Sequence, residues 1–351
     1  MLHYGIFLLK EFYMKSRVKL RLILFFLVFF VPTTVFSFGG VEKKLSVYTT
    51  LDEELARNVF NSFTKETGIS IDWVRLSTGE AVARLEAEKE NPRASVWYGG
   101  VGLGHIEAKQ KGLTVAYQSP EAQMPEQFRD SDYYWSGIYA GPLCFESNTQ
   151  MLEKYNLKLP TAWMDLIDPM YEGHIQMANP GSSGTAYNVV ATLVQIMGED
   201  EAFAYLRKLD KNITQYTRSG SAPGKSASIG EVAIAIGYAH DAVRLVSQGY
   251  PLRITFPSEG TGYEIASISL INNAPKDEEQ YARQLYDWAL GEKAAKIYAK
   301  MFVVPFLDVP LAKGALPISE VKTIRQDDEW AAVNKMRLVE RWNAVIGEKR
   351  K

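Results

Sequence analysis

The sequence predicts an α/β fold arranged as two lobes. Three observations carry that expectation. Short strands alternate with amphipathic helices from residue 45 onward, two long β-prone segments read as crossings between lobes, and a self-contained α/β unit lies between those crossings. Alternation of this kind argues for a mostly parallel sheet with helices on both faces.

The first strand is expected over 45–49, stopping at Thr49-Thr50. Asp52 then precedes Leu55, Val59 and Phe63, whose four-residue spacing defines the buried face of a helix ended by Gly68. Residues 69–74 alternate as a second strand. Ser77 and Glu80 stand at capping-box spacing and predict a helix over 77–90. Residues 95–98 make a third strand that should halt at Gly99-Gly100. The crossings are expected at 135–148, broken by Gly137, Gly141 and Pro142, and at 254–271, broken by Pro257, Gly260 and Gly262. Between them the pattern reads strand 175–178, a helix from about Thr185, a helix over 199–209 and a strand over 232–237. Two helices follow at 277–291 and 292–301, and the Lys- and Arg-rich tail from Trp342 reads as a solvated helix end. A chain that crosses twice between two lobes is suited to hinged closure.

From Met14 the chain reads as a secretory signal. Lys15, Arg17, Lys19 and Arg21 precede a ten-residue apolar run over 22–31, followed by Pro32 and a small-residue pattern ending at Ser37. The run is half the roughly 20 residues a spanning helix needs. Residues 1–37 are therefore expected to be removed, with Met14 as the true start. No Cys follows the apolar run, which leaves no lipid attachment point there. Removal would leave 34 basic against 40 acidic residues, a balance that argues against nucleic acid or an anionic membrane as partner. Cys144 is the one cysteine, so no intramolecular disulfide or thiolate metal site can form. Its apolar setting over 140–145 reads as a small core residue. An exported chain of this kind fits the bacterial periplasm.

Four places where strands meet helices carry small or hydroxyl residues: Thr49-Thr50, Ser77-Thr78-Gly79, Gly99-Gly100 and the run from Asn179 to Thr185. In open α/β sheets ligands sit beyond the carboxyl ends of strands. In the last run Gly184 allows close approach, Ser182, Ser183 and Thr185 offer hydroxyls, and a helix N-terminus follows, which together suit an oxyanion. A second constellation is His240-Asp241 at a strand end, followed by Glu264. Carboxylates accept hydrogen bonds from vicinal hydroxyls and a neutral His donates or accepts one, so this set suits a polyol. The same residue types also serve metal binding or acid–base catalysis. No paired nucleophile and base accompanies them, and His105 and His174 lack ligand-like spacing. Asp241 has the further, plainer role of capping a helix.

These residues resemble a known group. The strand–Thr-Thr–helix opening, Ser77-Thr-Gly-Glu80, the stretch from Arg84 to Pro92 and Trp97-Tyr-Gly-Gly100 are similar to the ferric-ion and phosphonate-type extracellular solute-binding proteins of ABC importers. The resemblance implies a two-lobed periplasmic binding protein fold (type II), with lobe 1 formed by 38–139 plus 262–351 and lobe 2 by 140–261. Iron-binding members use adjacent tyrosines, whereas here Tyr238 stands alone in Gly237-Tyr-Ala-His-Asp241. The segment is similar instead to the hexose-phosphate-binding branch historically labelled ferric transport. That likeness implies His240, Asp241 and Glu264 on the sugar hydroxyls. It implies Thr49, Thr50, Ser182, Ser183, Gly184 and Thr185 on the phosphate, with Ser77, Thr78 and Gly100 as further contacts. The phosphate is expected to dock with little help from Lys or Arg. The expectation is a monomeric, non-enzymatic periplasmic receptor for a sugar monophosphate, a hexose-6-phosphate in the first instance, without cofactor or metal. Its partners would be that ligand and an inner-membrane ABC permease, not nucleic acid. Ferric-ion and aminoethylphosphonate receptors are the rivals, and an exported hydrolase is a more distant one.

Overall fold

The computed structural model describes residues 43–346, so the signal sequence expected over 1–37 lies outside the described residues. Strand β1 (Lys44–Thr49) leads into α1 (Glu53–Thr67), whose N-cap Asp52 accepts the Glu54 N–H at 3.1 Å. Gly68 ends that helix at φ 72°, a left-handed position that favours glycine. β2 (Ser70–Arg75) follows, then α2 (Thr78–Ala87). The Ser77 N–H and Oγ both donate to Glu80, at 3.0 and 2.9 Å, so the capping-box spacing does start this helix. β3 (Val96–Val101) runs on through Gly99 and Gly100, both at positive φ, rather than stopping before them, and α3 (Gly102–Gln110) begins at once. β4 (Thr114–Val115) precedes the long β5 (Ser136–Asn148), every residue of which is buried.

The chain then builds α4 (Thr149–Lys154), β6 (Ile175–Ala178), α5 (Gly184–Met197), α6 (Glu199–Asn212) and β7 (Ile213–Thr217). Next come α7 (Ala222–Ser228), β8 (Ile234–Tyr238), α8 (Ala239–Ser247) and β9 (Leu252–Thr255). It returns through β10 (Tyr263–Ile271), α9 (Glu279–Leu290), α10 (Glu292–Lys300), β11 (Val304–Pro305) and α11 (Asp328–Val345). The second crossing is therefore two strands, β9 and β10, joined through Pro257, Gly260 and Gly262. Among the described residues no helix is long and apolar enough to cross a membrane.

Strand order is β2-β1-β3-β10-β5-β8-β6-β7. β1 pairs in parallel with β2 and β3, and β6 with β7 and β8, but every pair made by β5 or β10 is antiparallel. The sheet is mixed, not mostly parallel as expected. The reason is that β5 and β10 are not reached by helical crossovers from the strands they pair with, so nothing imposes the parallel sense. β5 serves both halves of the sheet: residues 136–142 pair with β10 and 143–147 with β8.

Two large apolar cores flank this strand. One holds Val47, Phe60, Phe63, Tyr98 and Leu285; the other holds Phe145, Trp163, Tyr187, Phe203 and Trp342. Cys144 is buried in β5, as its apolar setting implied. Of the tail expected to be solvated from Trp342, the basic residues at 349–351 lie outside the described residues. Trp342 itself is buried with Leu338. Just before it, Arg337 and Arg341 pair with Glu199 at 2.7 and 2.5 Å and fasten α11 to α6.

Candidate functional site

A cavity opens between the two halves, lined by residues of both. One wall is built from hydroxyls and backbone at chain turns: Thr50 after β1, Ser77 and Thr78 at the start of α2, and Gly100 near the end of β3. Facing them are Ser183, Gly184 and Thr185 at the start of α5 and Ser219, Gly220 and Ser221 between β7 and α7. The N-termini of α2 and α5 meet closely. The Gly79 N–H donates to the Ser182 carbonyl at 3.1 Å, and a Cβ on Gly79 would lie 2.7 Å from the Gly181 carbonyl oxygen. Ser183 caps α5, accepting the Ala186 N–H at 3.3 Å.

Arg75 adds a positive charge to this wall. It ends β2, its Nε donates to the Leu51 carbonyl at 2.9 Å, and Nη2 lies 3.5 Å from Ser221 Oγ. Among the described residues no carboxylate lies within ion-pair distance of it. A guanidinium held by a carbonyl and a hydroxyl, with no acid to neutralise it, is suited to a phosphate.

The opposite wall is acidic and drier. β8 delivers Tyr238, the first turn of α8 delivers His240 and Asp241, and β10 delivers Glu264. His240 Nε2 stands 3.4 Å from Glu264 Oε1, with Tyr238 stacked beside its ring and Tyr139 edge-on to it. Gly141 lies under that ring, and a side chain there would strike it. Burial lowers the His240 pKa below its usual value despite the Asp241 charge, which pulls the other way. Burial, and then Asp241, raises Glu264 well above the carboxylate range. The His240–Glu264 contact is thus between neutral groups, not an ion pair. Asp241 is not a helix cap, since Tyr238 holds that position; it bonds Arg244 Nη2 at 3.2 Å.

The cavity gathers His240, Asp241, Glu264, Thr50, Ser183, Gly184, Thr185, Ser77, Thr78 and Gly100 from the sequence expectation. Thr49 and Ser182 are corrections. Thr49 Oγ1 is fully buried and donates to the Tyr98 carbonyl, because strand alternation turns it away from Thr50. Ser182 Oγ is spent on the Arg218 carbonyl at 3.0 Å. Sequence reasoning misses Arg75, Asp52, Arg244, Tyr139 and the Ser219–Ser221 turn. Arg75 and Arg244 bring two guanidinium groups to the walls, the second paired with Asp52, Glu54 and Asp241, and Tyr139 gives Tyr238 a neighbour. The run of Ser219, Gly220 and Ser221 carries the same hydroxyl-and-glycine signal as residues 179–185. It escapes notice because the strand before it, β7, is polar and does not read as a strand. Among the described residues no group of three or more His, Cys, Asp or Glu is placed to hold a metal ion. His105 is a core residue, stacked on Trp97 and bonded to Ser269.

Residues 105–329 match the family of bacterial extracellular solute-binding proteins. A solved structure of the periplasmic binding protein AfuA from Actinobacillus pleuropneumoniae, with exogenous fructose-6-phosphate bound, is 34% identical with a TM-score of 0.84. The match covers 87% of this chain and 98% of that one. An uncharacterized Haemophilus influenzae protein is 34% identical over 87% of this chain and 91% of its own length. A Salmonella typhi periplasmic protein named for 2-aminoethylphosphonate binding is 26% identical over 67% of this chain and 68% of its own. The chain belongs to the bacterial extracellular solute-binding family, with the two-lobed type II periplasmic binding fold. It is a solute receptor of an ABC importer, not an enzyme.

Proposed function

For this member of the extracellular solute-binding family, we propose a receptor for a sugar monophosphate, with hexose-6-phosphates as the preferred class. The observation that carries the reading is the two-ended cavity: hydroxyls, an unneutralised guanidinium and two helix N-termini on one wall, and His240, Asp241 and Glu264 on the other. Phosphate oxygens would be met by Thr50, Ser183, Thr185, Ser77 and Thr78, the backbone at Gly100 and Gly184, and Arg75. Helix N-termini replace the phosphate's hydration with fixed N–H groups. Sugar hydroxyls would donate to Asp241 and exchange bonds with His240 and a protonated Glu264. The relative solved with fructose-6-phosphate bound supports a sugar-phosphate ligand.

The lobes proposed are 38–139 plus 262–351, and 140–261. They would turn on β5 near Pro142 and on the 256–262 connection, close on the ligand and present it as a monomer to an inner-membrane permease. Residues 1–37 would direct export to the periplasm and be removed in the process. The Salmonella relative favours one second reading, in which the acids hold the ammonium of an aminophosphonate.

The test is titration calorimetry of the purified protein with glucose-6-phosphate, fructose-6-phosphate, inorganic phosphate, 2-aminoethylphosphonate and ferric citrate. Micromolar or tighter binding of a hexose phosphate, at least tenfold tighter than the rest, is expected. Tighter binding of the aminophosphonate or of ferric iron would overturn the reading.

A further inference from the structure

We propose that Arg244 is a clasp that couples Asp241 to contact between the two proposed lobes. The inference rests on the receptor reading and assigns the residue that makes closure respond to the ligand.

Arg244 lies on α8, one turn beyond Asp241. Its guanidinium is shared among three carboxylates. Nη2 lies 3.2 Å from Asp241 Oδ1 on the same helix, while Nη1 lies 3.1 Å from Asp52 Oδ1 and 3.2 Å from Glu54 Oε2 at the start of α1. Asp52 is at once the N-cap of α1, a wall of the cavity and the partner of Lys225 from α7 at 3.4 Å. The clasp therefore joins the acidic wall, through Asp241, to a helix end on the opposite half, about 190 residues earlier in the chain.

Burial separates this cluster from an ordinary surface pair. Arg244 is 9% exposed and the Asp52 side chain likewise 9%. Burial alone would raise the Asp52 pKa, yet Arg244 and Lys225 hold it below the usual carboxylate value. Such charges are tolerated only while paired, since removing one partner strands the other in a dry site. When the lobes separate, Asp52 and Arg244 return to water and neither charge is left stranded in a dry site. Its contribution therefore falls on the closed arrangement and not on the fold of either half. A hydroxyl donated to Asp241 would spread the demand on that carboxylate and leave the guanidinium oriented toward Asp52. Other contacts cross the same opening, among them the Arg218–Glu80 ion pair, the Gly79 bond to Ser182, Lys225 with Asp52 and, on the acidic wall, His240 with Glu264; none of these four uses Asp241.

The experiment places a donor and an acceptor dye on exposed positions of the two halves and measures single-molecule distance distributions, with and without fructose-6-phosphate. Asp52→Asn keeps the helix-cap acceptor and removes the charge; Arg244→Gln removes the clasp from the other side. In ligand-free protein, each variant should lower the closed population at least threefold. With ligand, each should raise the dissociation rate about tenfold. Unchanged ligand-free distributions in both variants would overturn the clasp. Should Asp52→Asn fail to fold, Arg244→Gln carries the same measurement. The ligand-free arm does not depend on which solute binds, so failure of the sugar-phosphate reading would be seen separately, as absent binding with an intact clasp.

Discussion

The two walls of the cavity do opposite things with burial. The hydroxyl wall sits on loops and helix starts, where Ser183 and Thr50 already take part in local bonds and Arg75 brings an unneutralised charge. The acidic wall sits on β10 and the start of α8, where burial keeps His240 and Glu264 neutral and only Asp241 faces a cation. Under the proposed function an anion would be met by dipoles and a guanidinium at one end, and hydroxyls by buried acceptors and donors at the other. The lesson is that ligand direction need not come from opposed charges; differing desolvation of two walls achieves it.

The sharpest way to break this contrast is Asp241→Ala. It should weaken hexose-phosphate binding at least ~100-fold by calorimetry, because a hydrogen bond to a charged group contributes about 1.5–3 kcal/mol and more than one hydroxyl is served. Equal weakening of inorganic phosphate would show that the walls are not separate. Arg75→Gln should cost about 10–100-fold for every phosphorylated ligand while leaving the ranking among sugar epimers intact. A changed ranking would merge the two walls.

Glu264→Gln replaces a protonated acid with a neutral isostere and should change affinity by only a few-fold at pH 6. Because the folded pKa of Glu264 is raised, its stabilising neutral form is fully present below the unfolded value and is lost as pH rises through the folded one. With the neutral form as the sugar's partner, wild-type affinity should fall as pH rises through the raised value, and the Gln variant should be flatter; parallel pH profiles would refute a neutral Glu264.

The smallest effect lies behind the acidic wall. Glu146 is 1% exposed, Oε2 has no hydrogen-bond partner, and burial, then Asp241, raises its pKa from 4.5 to about 8. Its contribution to stability is present below pH 4.5 and fades as pH rises toward 8. Glu146→Gln should raise the melting temperature by a few degrees at pH 8 and hardly at all at pH 4, read by scanning calorimetry. An equal shift at both would mean Glu146 is not protonated in the fold.

Much of the fold and of the site is legible in the order of the residues. Leu55, Val59 and Phe63 mark α1, Gly68 its end and Ser77/Glu80 the start of α2, because caps and four-residue burial are local effects written within a few positions. The glycine-hydroxyl run at 179–185 and the His240-Asp241 pair are legible for the same reason: each is a strand end followed by a helix start. Strand β7 is not, since Ile213–Thr217 buries one residue fully and carries polar side chains elsewhere. Nor is the burial of Trp342, because it packs against Tyr216, which lies far away in the chain.

By itself, then, the sequence determined the strand and helix units, the caps and the chemical character of both walls, since these depend on neighbours within one or two turns. Tertiary structure alone decided that Thr50 and not Thr49 faces the cavity, that Arg75 meets Ser221, and that Arg244 reaches Asp52. It also decided that Glu264, an ordinary carboxyl on paper, is held neutral. These outcomes depend on strand order, register and depth of burial, which join residues far apart in the chain and leave no local pattern.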